Sequence, residues 1–298
     1  MRTFGFFYVT DVPDYSAELE LDYLKRFFDL PTETKMSLAV RKHRQENNNV
    51  YRGYGPVVET SGTQYKEMFN IGPHETHPAT QKDPSFLEKF RVISREKSVW
   101  PESGDEVFDL EFKRVFQKGL RIRQDISRGV LRSIGRTLGH PELLDRFTHS
   151  EFSTLGLRRY PLRKSSNPGS NSRHDNVTLT ELEHEDSTVT ILATFNYTGL
   201  QALYKGVYHD VPPSSSGFIV NIGTLVEEIT DRRVIAVRHR VRLVDFIRHS
   251  IPFFFNPSFD ADISQSLTGR RTRSDFLTFG EWMADYLPKV EPGLLGIF

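Results

Sequence analysis

The chain has 298 residues, no cysteine, and equal numbers of basic and acidic side chains, 39 Lys plus Arg against 39 Asp plus Glu. The absence of cysteine excludes disulfides, thiolate zinc sites and a cysteine nucleophile, so any metal must bind to His, Asp or Glu. The neutral balance gives no electrostatic footprint for nucleic acid, and no apolar run approaches the roughly 20 residues that span a bilayer. We therefore expect a soluble, cytoplasmic protein that binds neither nucleic acid nor membrane, with a monomer as the default.

Short strands and helices alternate in the first 100 residues. The aromatic stretch 4–9 is typical of a strand. Residues 16–30 carry apolar side chains at helical spacing, and this pattern stops before Pro31. Further along, the pattern predicts a short helix at 32–38, a polar Gly-rich loop at 44–56 and a short strand at 66–72.

The longest predicted helix covers about residues 105–138. Apolar side chains recur every three or four positions from Phe108 to Leu138, and Gly139 followed by Pro141 is a helix stop signal. A helix of this length can act as a spine that joins two halves of the molecule.

Short β-rich segments separated by turn residues dominate the chain after residue 143, a pattern typical of a sandwich or barrel. The end of the chain returns to helix. We expect one cooperative unit made of an N-terminal region (1–100), the spine helix and its connection (101–143), a β core (144–260) and a C-terminal helical segment (261–298). The predicted strands of the core are 152–160, 177–183, 187–195, 200–204, 217–221, 233–243 and 246–255.

His184 and Asp186 form an H-x-D pair at the start of an apolar segment. Side chains two apart on a strand face the same way, so both could reach one metal ion. The pair is weak evidence alone, because His140 and His149 stand in similar patterns. It gains weight from His239, since two histidines and one carboxylate on one face of an ion form the facial triad of non-haem Fe(II) oxygenases.

Arg248 and Ser250 lie shortly after His239. An arginine and a nearby serine can hold a carboxylate by a charge-assisted fork and one further hydrogen bond. On one straight strand, His239 and Arg248, nine positions apart, would point to opposite faces. We therefore expect a turn or bulge at 243–245.

Taken together, these motifs resemble the isopenicillin N synthase-like branch of the 2-oxoglutarate/Fe(II)-dependent dioxygenases. The resemblance covers nearly the whole chain, and the order and spacing of its segments agree with that family. It implies a mixed α/β (α+β) fold with a double-stranded β-helix, or jelly-roll, core, flanking helices and the spine helix packed outside. The matching segments are GFFYV (5–9), FFDLPTETKMSL (27–38), YRGYG (51–55), KEMFNIG (66–72), VWP (99–101), RRYP (158–161), HED (184–186), GLQAL (199–203), GFIVNIG (217–223), VRHRV (237–241), RHSIPFFFNP (248–257) and TFGEWM (278–283).

The resemblance implies that His184, Asp186 and His239 bind Fe(II). The implied enzyme uses O₂ and 2-oxoglutarate to hydroxylate, desaturate or cyclise a small-molecule substrate through an iron(IV)-oxo species, and it releases succinate and carbon dioxide. Two alternatives stay open from the sequence. One is an Fe(II) oxidase of the same fold that does not use 2-oxoglutarate, and the other is a binding module that has lost catalysis.

Further residues around the implied iron site also match the family. The resemblance implies that Arg248 and Ser250 hold the distal carboxylate of 2-oxoglutarate and that Tyr160 also reaches this group. Asn221 stands where the family often keeps an asparagine near the site. The protein itself would supply geometry and a dry pocket, because the cofactor carries the difficult chemistry.

The resemblance also concerns residues that would meet the substrate. Arg52 and Tyr54 lie in a loop that can approach the substrate in this family, so we expect them to help line the pocket. The chain departs from the family at Glu183 and Glu185, where small residues or threonine are usual, and at Arg158, where asparagine is common. These departures place charge of both signs at the rim of the site and favour a polar or charged substrate.

Overall fold

The computed structural model describes residues 5–58, 65–76, 85–162, 173–174, 177–272 and 275–290. In these ranges, the strands form two antiparallel sheets. The strands are β1 (Phe6–Val9), β2 (Gly53–Gly55), β3 (Glu67–Ile71), β4 (Thr154–Tyr160), β5 (Arg173–His174), β6 (Val177–His184), β7 (Val189–Ala193), β8 (Leu200–Tyr204), β9 (Val207–Asp210), β10 (Phe218–Ile222), β11 (His239–Arg242) and β12 (Arg248–Phe255). The larger sheet has the order β1-β10-β7-β12-β4-β3-β2, and the smaller one has the order β5-β6-β11-β8-β9. The predicted combination of antiparallel sheets and helices is confirmed.

The helices begin where a polar side chain can satisfy free backbone N–H groups. Ser16, Ser85 and Asp105 each accept a hydrogen bond from the N–H three residues further on. Within the described ranges, no helix is both long enough and apolar enough to cross a membrane. The helices are α1 (Ala17–Phe28), α2 (Thr32–Ser37), α3 (Phe86–Ser94), α4 (Glu106–Leu138), α5 (Thr224–Ile229) and α6 (Phe279–Val290).

The spine helix α4 confirms the prediction from the apolar stripe. It ends at Gly139, whose φ of 77° lies in the left-handed region that favours glycine. Its buried face contacts β7 and β12 of the larger sheet. At its N-terminal end, Phe112 packs 5.0 Å from Phe27 of α1, and Phe27 packs 4.6 Å from Phe69 of β3. The helix therefore connects the N-terminal elements to the β core through aromatic contacts.

Two parts of the secondary structure differ from the prediction. Only His239–Arg242 of the predicted strand 233–243 is a strand. Before it, Asp231 and Arg232 have positive φ, and the N–H of Ala236 donates to the Glu227 carboxylate instead of to a neighbouring strand. The strand β2 lies within the loop predicted at 44–56, and the strands β5 and β9 and the helices α3 and α5 were not predicted either, because short elements are determined by their tertiary partners more than by pattern.

The break between β11 and β12 confirms the expected interruption near 243–245. The chain leaves the smaller sheet at Arg242 and enters the larger sheet at Arg248. His239 and Arg248 thus lie on different sheets. Although they would point to opposite faces of one straight strand, both side chains can therefore face the space between the two sheets.

A buried ion pair connects α1, α4 and β10. Both terminal nitrogens of Arg123 donate to the Glu20 carboxylate at 2.7 Å, and the guanidinium lies 4.6 Å from the Phe218 ring centroid. Arg123 is fully buried and Glu20 nearly so. A buried pair of this kind stabilises the fold only while both partners are present, because one charge alone would be left without solvent or counter-charge.

We expect Arg123→Met to lower the free energy of unfolding by about 3–5 kcal/mol, since it leaves the Glu20 carboxylate buried and unpaired. Urea unfolding of the variant and wild type measures this loss. Arg121→Met on the exposed side of the same helix is the control and should change stability by less than about 0.5 kcal/mol. The double variant Glu20→Leu/Arg123→Met should recover most of the stability; an equal loss in the double variant would contradict the explanation.

Candidate active site

A cavity of about 420 Å³ lies between the two sheets, and α6 also contributes to its wall. Volumes of roughly 300–1,000 Å³ are usual for small-molecule sites. The walls combine apolar side chains from both sheets with a few polar and charged groups. Of the residues implied by the resemblance, the cavity brings together His184, Asp186, His239, Arg248, Ser250, Tyr160 and Asn221.

Two histidines and one aspartate meet at one point of the cavity. His184 is the last residue of β6, and His239, the first residue of β11, is its direct partner across the strand pair. The Nε2 atom of each histidine lies 3.8 Å from an oxygen of Asp186. One ligand atom from each of the three residues lies within 4.8 Å of the other two. These three donors can therefore surround a single metal ion.

Hydrogen bonds fix which atoms face that ion. The ring Nδ1 of His184 lies 2.8 Å from the Leu182 carbonyl, and Nδ1 of His239 lies 3.2 Å from the Val237 carbonyl. A carbonyl only accepts, so each Nδ1 carries the proton and each Nε2 presents a lone pair. Orientation of a metal-binding imidazole by its second nitrogen is the usual arrangement.

The carboxylate of Asp186 is held by two neighbouring strands. Asn221 of β10 and Thr190 of β7 both donate to its Oδ2 atom at 2.7 Å. The backbone carbonyl of Asp186 accepts from the N–H of Thr224 at 2.9 Å. Oδ2 is therefore occupied, and Oδ1 is available to a metal.

The electrostatics favour the protonation states that bind metal. Burial alone would raise the pKa of Asp186, but His239 and His184, together with the hydrogen bonds from Asn221 and Thr190, hold the pKa below its usual value. Burial lowers the pKa of His239. At neutral pH the site presents an ionised carboxylate and a neutral imidazole, as metal binding requires. Two nitrogens, one oxygen and open positions suit Fe(II).

Arg248 and Ser250 lie side by side in the cavity wall on β12. The Arg248 guanidinium donates to the Ser250 hydroxyl at 3.3 Å and to the Thr198 carbonyl at 3.2 Å. Its central carbon lies 4.9 Å from the ring centroid of Tyr160, the cross-strand partner of Arg248. Arg248 is buried, and no described carboxylate forms an ion pair with it. This guanidinium is therefore positioned to receive a carboxylate from a ligand.

An ion pair in the same wall had not been predicted from the sequence. Lys66 donates to Glu181, and both residues line the cavity. Burial would raise the pKa of Glu181, but Lys66, His184 and Arg248 outweigh it and lower the pKa to about 2. Glu181 and His184 are three residues apart, so on a regular strand they would face opposite sides of the sheet. Both face the cavity because the pairing of β6 with β11 contains register shifts. No pattern in the sequence reveals such a shift.

The expectation that Arg52 and Tyr54 line the pocket is corrected by the structure. Arg52 is fully buried, and its guanidinium donates to the backbone carbonyl groups of Ser94 at the end of α3 and of Glu151 and Ser153 before β4. The Tyr54 hydroxyl donates to Glu67. Neither side chain reaches the cavity, whereas their neighbour Tyr51 does. The segment approaches the site as expected, but the alternation of its side chains turns Arg52 and Tyr54 away from it.

The two acidic departures from the family pattern also point away from the cavity. Arg238 lies 3.8 Å from the Glu183 carboxylate and 3.4 Å from that of Glu185. Glu183 also accepts a hydrogen bond from Tyr208. These acids are paired outside the cavity, so of the three departures only Arg158 lines it.

Comparison with known proteins identifies the family. The sequence model of the 2OG-Fe(II) oxygenase superfamily matches residues 155–257, and that of the N-terminal region of the non-haem dioxygenases in morphine synthesis matches residues 1–103. Isopenicillin N synthase from Hapsidospora chrysogena is 30% identical over 268 residues, which cover 86% of this chain and 74% of that protein. The chain belongs to the isopenicillin N synthase-like family of 2OG-Fe(II) oxygenases. It is a non-haem Fe(II) and 2-oxoglutarate-dependent dioxygenase.

Further relatives agree with this assignment over almost the full length of the dioxygenase. Isopenicillin N synthase from Streptomyces clavuligerus is 27% identical over 95% of this chain and 84% of its own length. Among solved structures, a full-length Neurospora crassa protein in complex with alpha-KG and thymine superimposes with a TM-score of 0.74 at 21% identity, over 97% of this chain and 88% of that one. This likeness confirms the predicted double-stranded β-helix fold.

We expect Asn221→Ala to weaken metal binding by about 10- to 100-fold, because Asp186 then loses a hydrogen bond that orients it. Anaerobic titration with Fe(II), followed by calorimetry, measures the affinity. Asn256→Ala is the control, since Asn256 lines the cavity but bonds to Ser187 and Thr188 instead of Asp186. Unchanged metal affinity in Asn221→Ala would contradict the orienting role.

Proposed function

We propose that this dioxygenase oxidises a C–H bond of a small organic molecule in the cavity between the sheets, by hydroxylation, desaturation or cyclisation, while 2-oxoglutarate is converted to succinate and carbon dioxide. The observation that carries the proposal is that the His184, Asp186 and His239 donors and the Arg248 guanidinium line the same cavity. A metal site and a carboxylate receptor in one enclosed space match the two ends of 2-oxoglutarate.

The metal would be held by Nε2 of His184, Nε2 of His239 and Oδ1 of Asp186. When bound, Fe(II) together with 2-oxoglutarate supplies the activation of O₂ that an all-organic site cannot provide. The work of the protein is then to present the three donors in their deprotonated form. It does so through the carbonyls that accept from the two histidine rings and the donors that hold Asp186.

The distal carboxylate of 2-oxoglutarate would bind Arg248 and Ser250, with Tyr160 closing the same end of the cavity. Arg248 already has its Nε bonded to the Thr198 carbonyl, which fixes the plane of the guanidinium before a ligand arrives. Lys66 lies 6.0 Å from the Tyr160 ring centroid but is neutralised by Glu181. Arg248 is therefore the stronger carboxylate receptor of the two.

A small molecule fits the size and character of the space. Two structural neighbours have been solved with small ligands: the Neurospora crassa protein with alpha-KG and thymine, and JOX2 with 2OG, Fe and JA. The apolar part of the wall, which includes Leu192, Ile219 and Val241, would exclude water from the reacting atoms.

We expect the wild-type protein, with Fe(II) and 2-oxoglutarate under anaerobic conditions, to give a visible metal-to-ligand charge-transfer band. On admission of oxygen it should form about one succinate for each O₂ consumed. Asp186→Ala should lose the band, because two histidines alone bind the metal weakly. Oxygen consumption without succinate would contradict the proposal and favour an oxidase in which Arg248 holds the carboxylate of the substrate itself. A wild-type protein that retains no metal would favour a binding module.

We expect Arg248→Gln to raise the Kd for 2-oxoglutarate by about 10- to 100-fold, since it removes a charge-assisted fork worth roughly 1.5–3 kcal/mol. The affinity for Fe(II) alone should not change. Titration of the charge-transfer band measures the Kd for 2-oxoglutarate, and anaerobic calorimetry with Fe(II) alone measures the affinity for the metal. Arg242→Gln is the control, because Arg242 faces Asp210 at 41% side-chain exposure. Equal loss of 2-oxoglutarate affinity in both variants would point to a general electrostatic effect instead of a receptor.

A further inference from the structure

Arg158 is a buried cation in the cavity wall. It lies on β4 two residues before Tyr160, and both side chains line the cavity. Its guanidinium folds back along the strand over Gly156, where an added Cβ would fall 2.5 Å from Nη2. Gly156 therefore leaves the room that lets this side chain lie flat against the wall.

The guanidinium of Arg158 has few partners of its own. Among the described residues, its one hydrogen bond is from Nη1 to the adjacent Leu157 carbonyl at 3.0 Å, and no acidic residue of these ranges forms an ion pair with it. Next to it, Asn70 is the cross-strand partner of Gly156 and also lines the cavity. The Oδ1 atom of Asn70 is buried without a hydrogen-bond partner, while its Nδ2 donates to the Tyr51 carbonyl at 3.3 Å.

A count of the charges of the described residues, with Fe(II) and 2-oxoglutarate added, leaves Arg158 uncompensated. Lys66 is balanced by Glu181, and Arg248 would be balanced by the distal carboxylate of 2-oxoglutarate. The two charges of Fe(II) would be balanced by Asp186 and the second carboxylate of 2-oxoglutarate. One positive charge is left over, on Arg158. A buried charge without a partner is costly, so the missing counter-charge is expected from the remaining ligand, the substrate.

The position of Arg158 suits a substrate contact. Phe254 of β12 is the cross-strand partner of both Thr190 of β7 and Thr154 of β4. The Thr190 hydroxyl donates to the Asp186 carboxylate. Gly156 lies two residues from Thr154, which is one row of side chains along the strand. A group bound over Gly156 would therefore lie one row from the level of Thr190 and two strands along the larger sheet from β7.

We propose that Arg158 and Asn70 form a recognition site for a carboxylate group of the substrate, separate from the Arg248 receptor. The guanidinium binds the two carboxylate oxygens, and Asn70 Oδ1 accepts from a donor beside that group, such as an amide N–H or a hydroxyl. The inference rests on the proposed function and narrows its substrate class to small carboxylic acids.

The test compares acids with their uncharged amides. Phenylacetate, octanoate and N-acetyl-leucine, each paired with its primary amide, are titrated by calorimetry into the anaerobic protein loaded with Fe(II) and 2-oxoglutarate. Wild type should bind at least one acid about 10- to 100-fold more tightly than its amide. Arg158→Gln should reduce this preference to less than about threefold, and Arg158→Lys should retain part of it, since lysine keeps the charge but loses the fork.

Control measurements separate this site from the cosubstrate site and from folding. Arg159→Gln should keep the acid preference, because Arg159 is the next residue on the strand and pairs with Asp29. The Kd for 2-oxoglutarate and the charge-transfer band should be unchanged in Arg158→Gln, and thermal unfolding checks that the variant is folded.

Three results would overturn the inference. They are the absence of any acid preference in wild type, an acid preference that survives in Arg158→Gln, and a weakened 2-oxoglutarate affinity in that variant, which would make Arg158 a cosubstrate residue. A wild-type protein without a charge-transfer band would refute the proposed function instead. The same calorimetric comparison of acids and amides, made on metal-free Arg248→Gln protein with and without Arg158→Gln, would still decide the role of Arg158, because the other carboxylate receptor is then removed.

Discussion

The ionised carboxylate of Asp186 is the constraint on which the site depends. It is buried, so it can stay charged only if its neighbours compensate for the lost water. Asn221 and Thr190 provide two hydrogen bonds from adjacent strands of the larger sheet, and the two histidines come from the smaller sheet. The carboxylate therefore lies where the two sheets meet, and a metal ion at this point would join them.

The remaining charges of the cavity follow the same rule of local compensation. Lys66, next to β3 of the larger sheet, and Glu181 of the smaller sheet neutralise each other. Arg248 and Arg158 are two buried guanidinium groups in this cavity without carboxylate partners among the described residues. In the proposed complex, Arg248 would bind the cosubstrate and Arg158 a further anion. The curated relatives are isopenicillin N synthases, but their names do not determine what this cavity accepts, because its substrate contacts come from individual side chains.

The N-terminal elements support this site from a distance. Arg52 is fully buried, yet it serves the backbone of the surrounding loops instead of the ligand. The Glu20–Arg123 pair and the aromatic contacts between α1, β3 and α4 connect the N-terminal elements to the β core. Since Phe218 of β10 lies over Arg123, this pair also supports the strand that carries Asn221.

The sequence by itself determined the family and the spine helix, and it predicted the three candidate metal donors and Arg248, because these depend on residue types at set spacings. The tertiary structure decided which other side chains face the cavity. Arg52 and Tyr54 were expected there and are turned away, whereas Glu181 is turned inward by register shifts between β6 and β11. In the sequence, Arg158 was notable only because asparagine is common at this position in the family. The absence of an acidic partner for it among the described residues became visible only in the assembled sheets, because compensation of a buried charge is a property of neighbours in space.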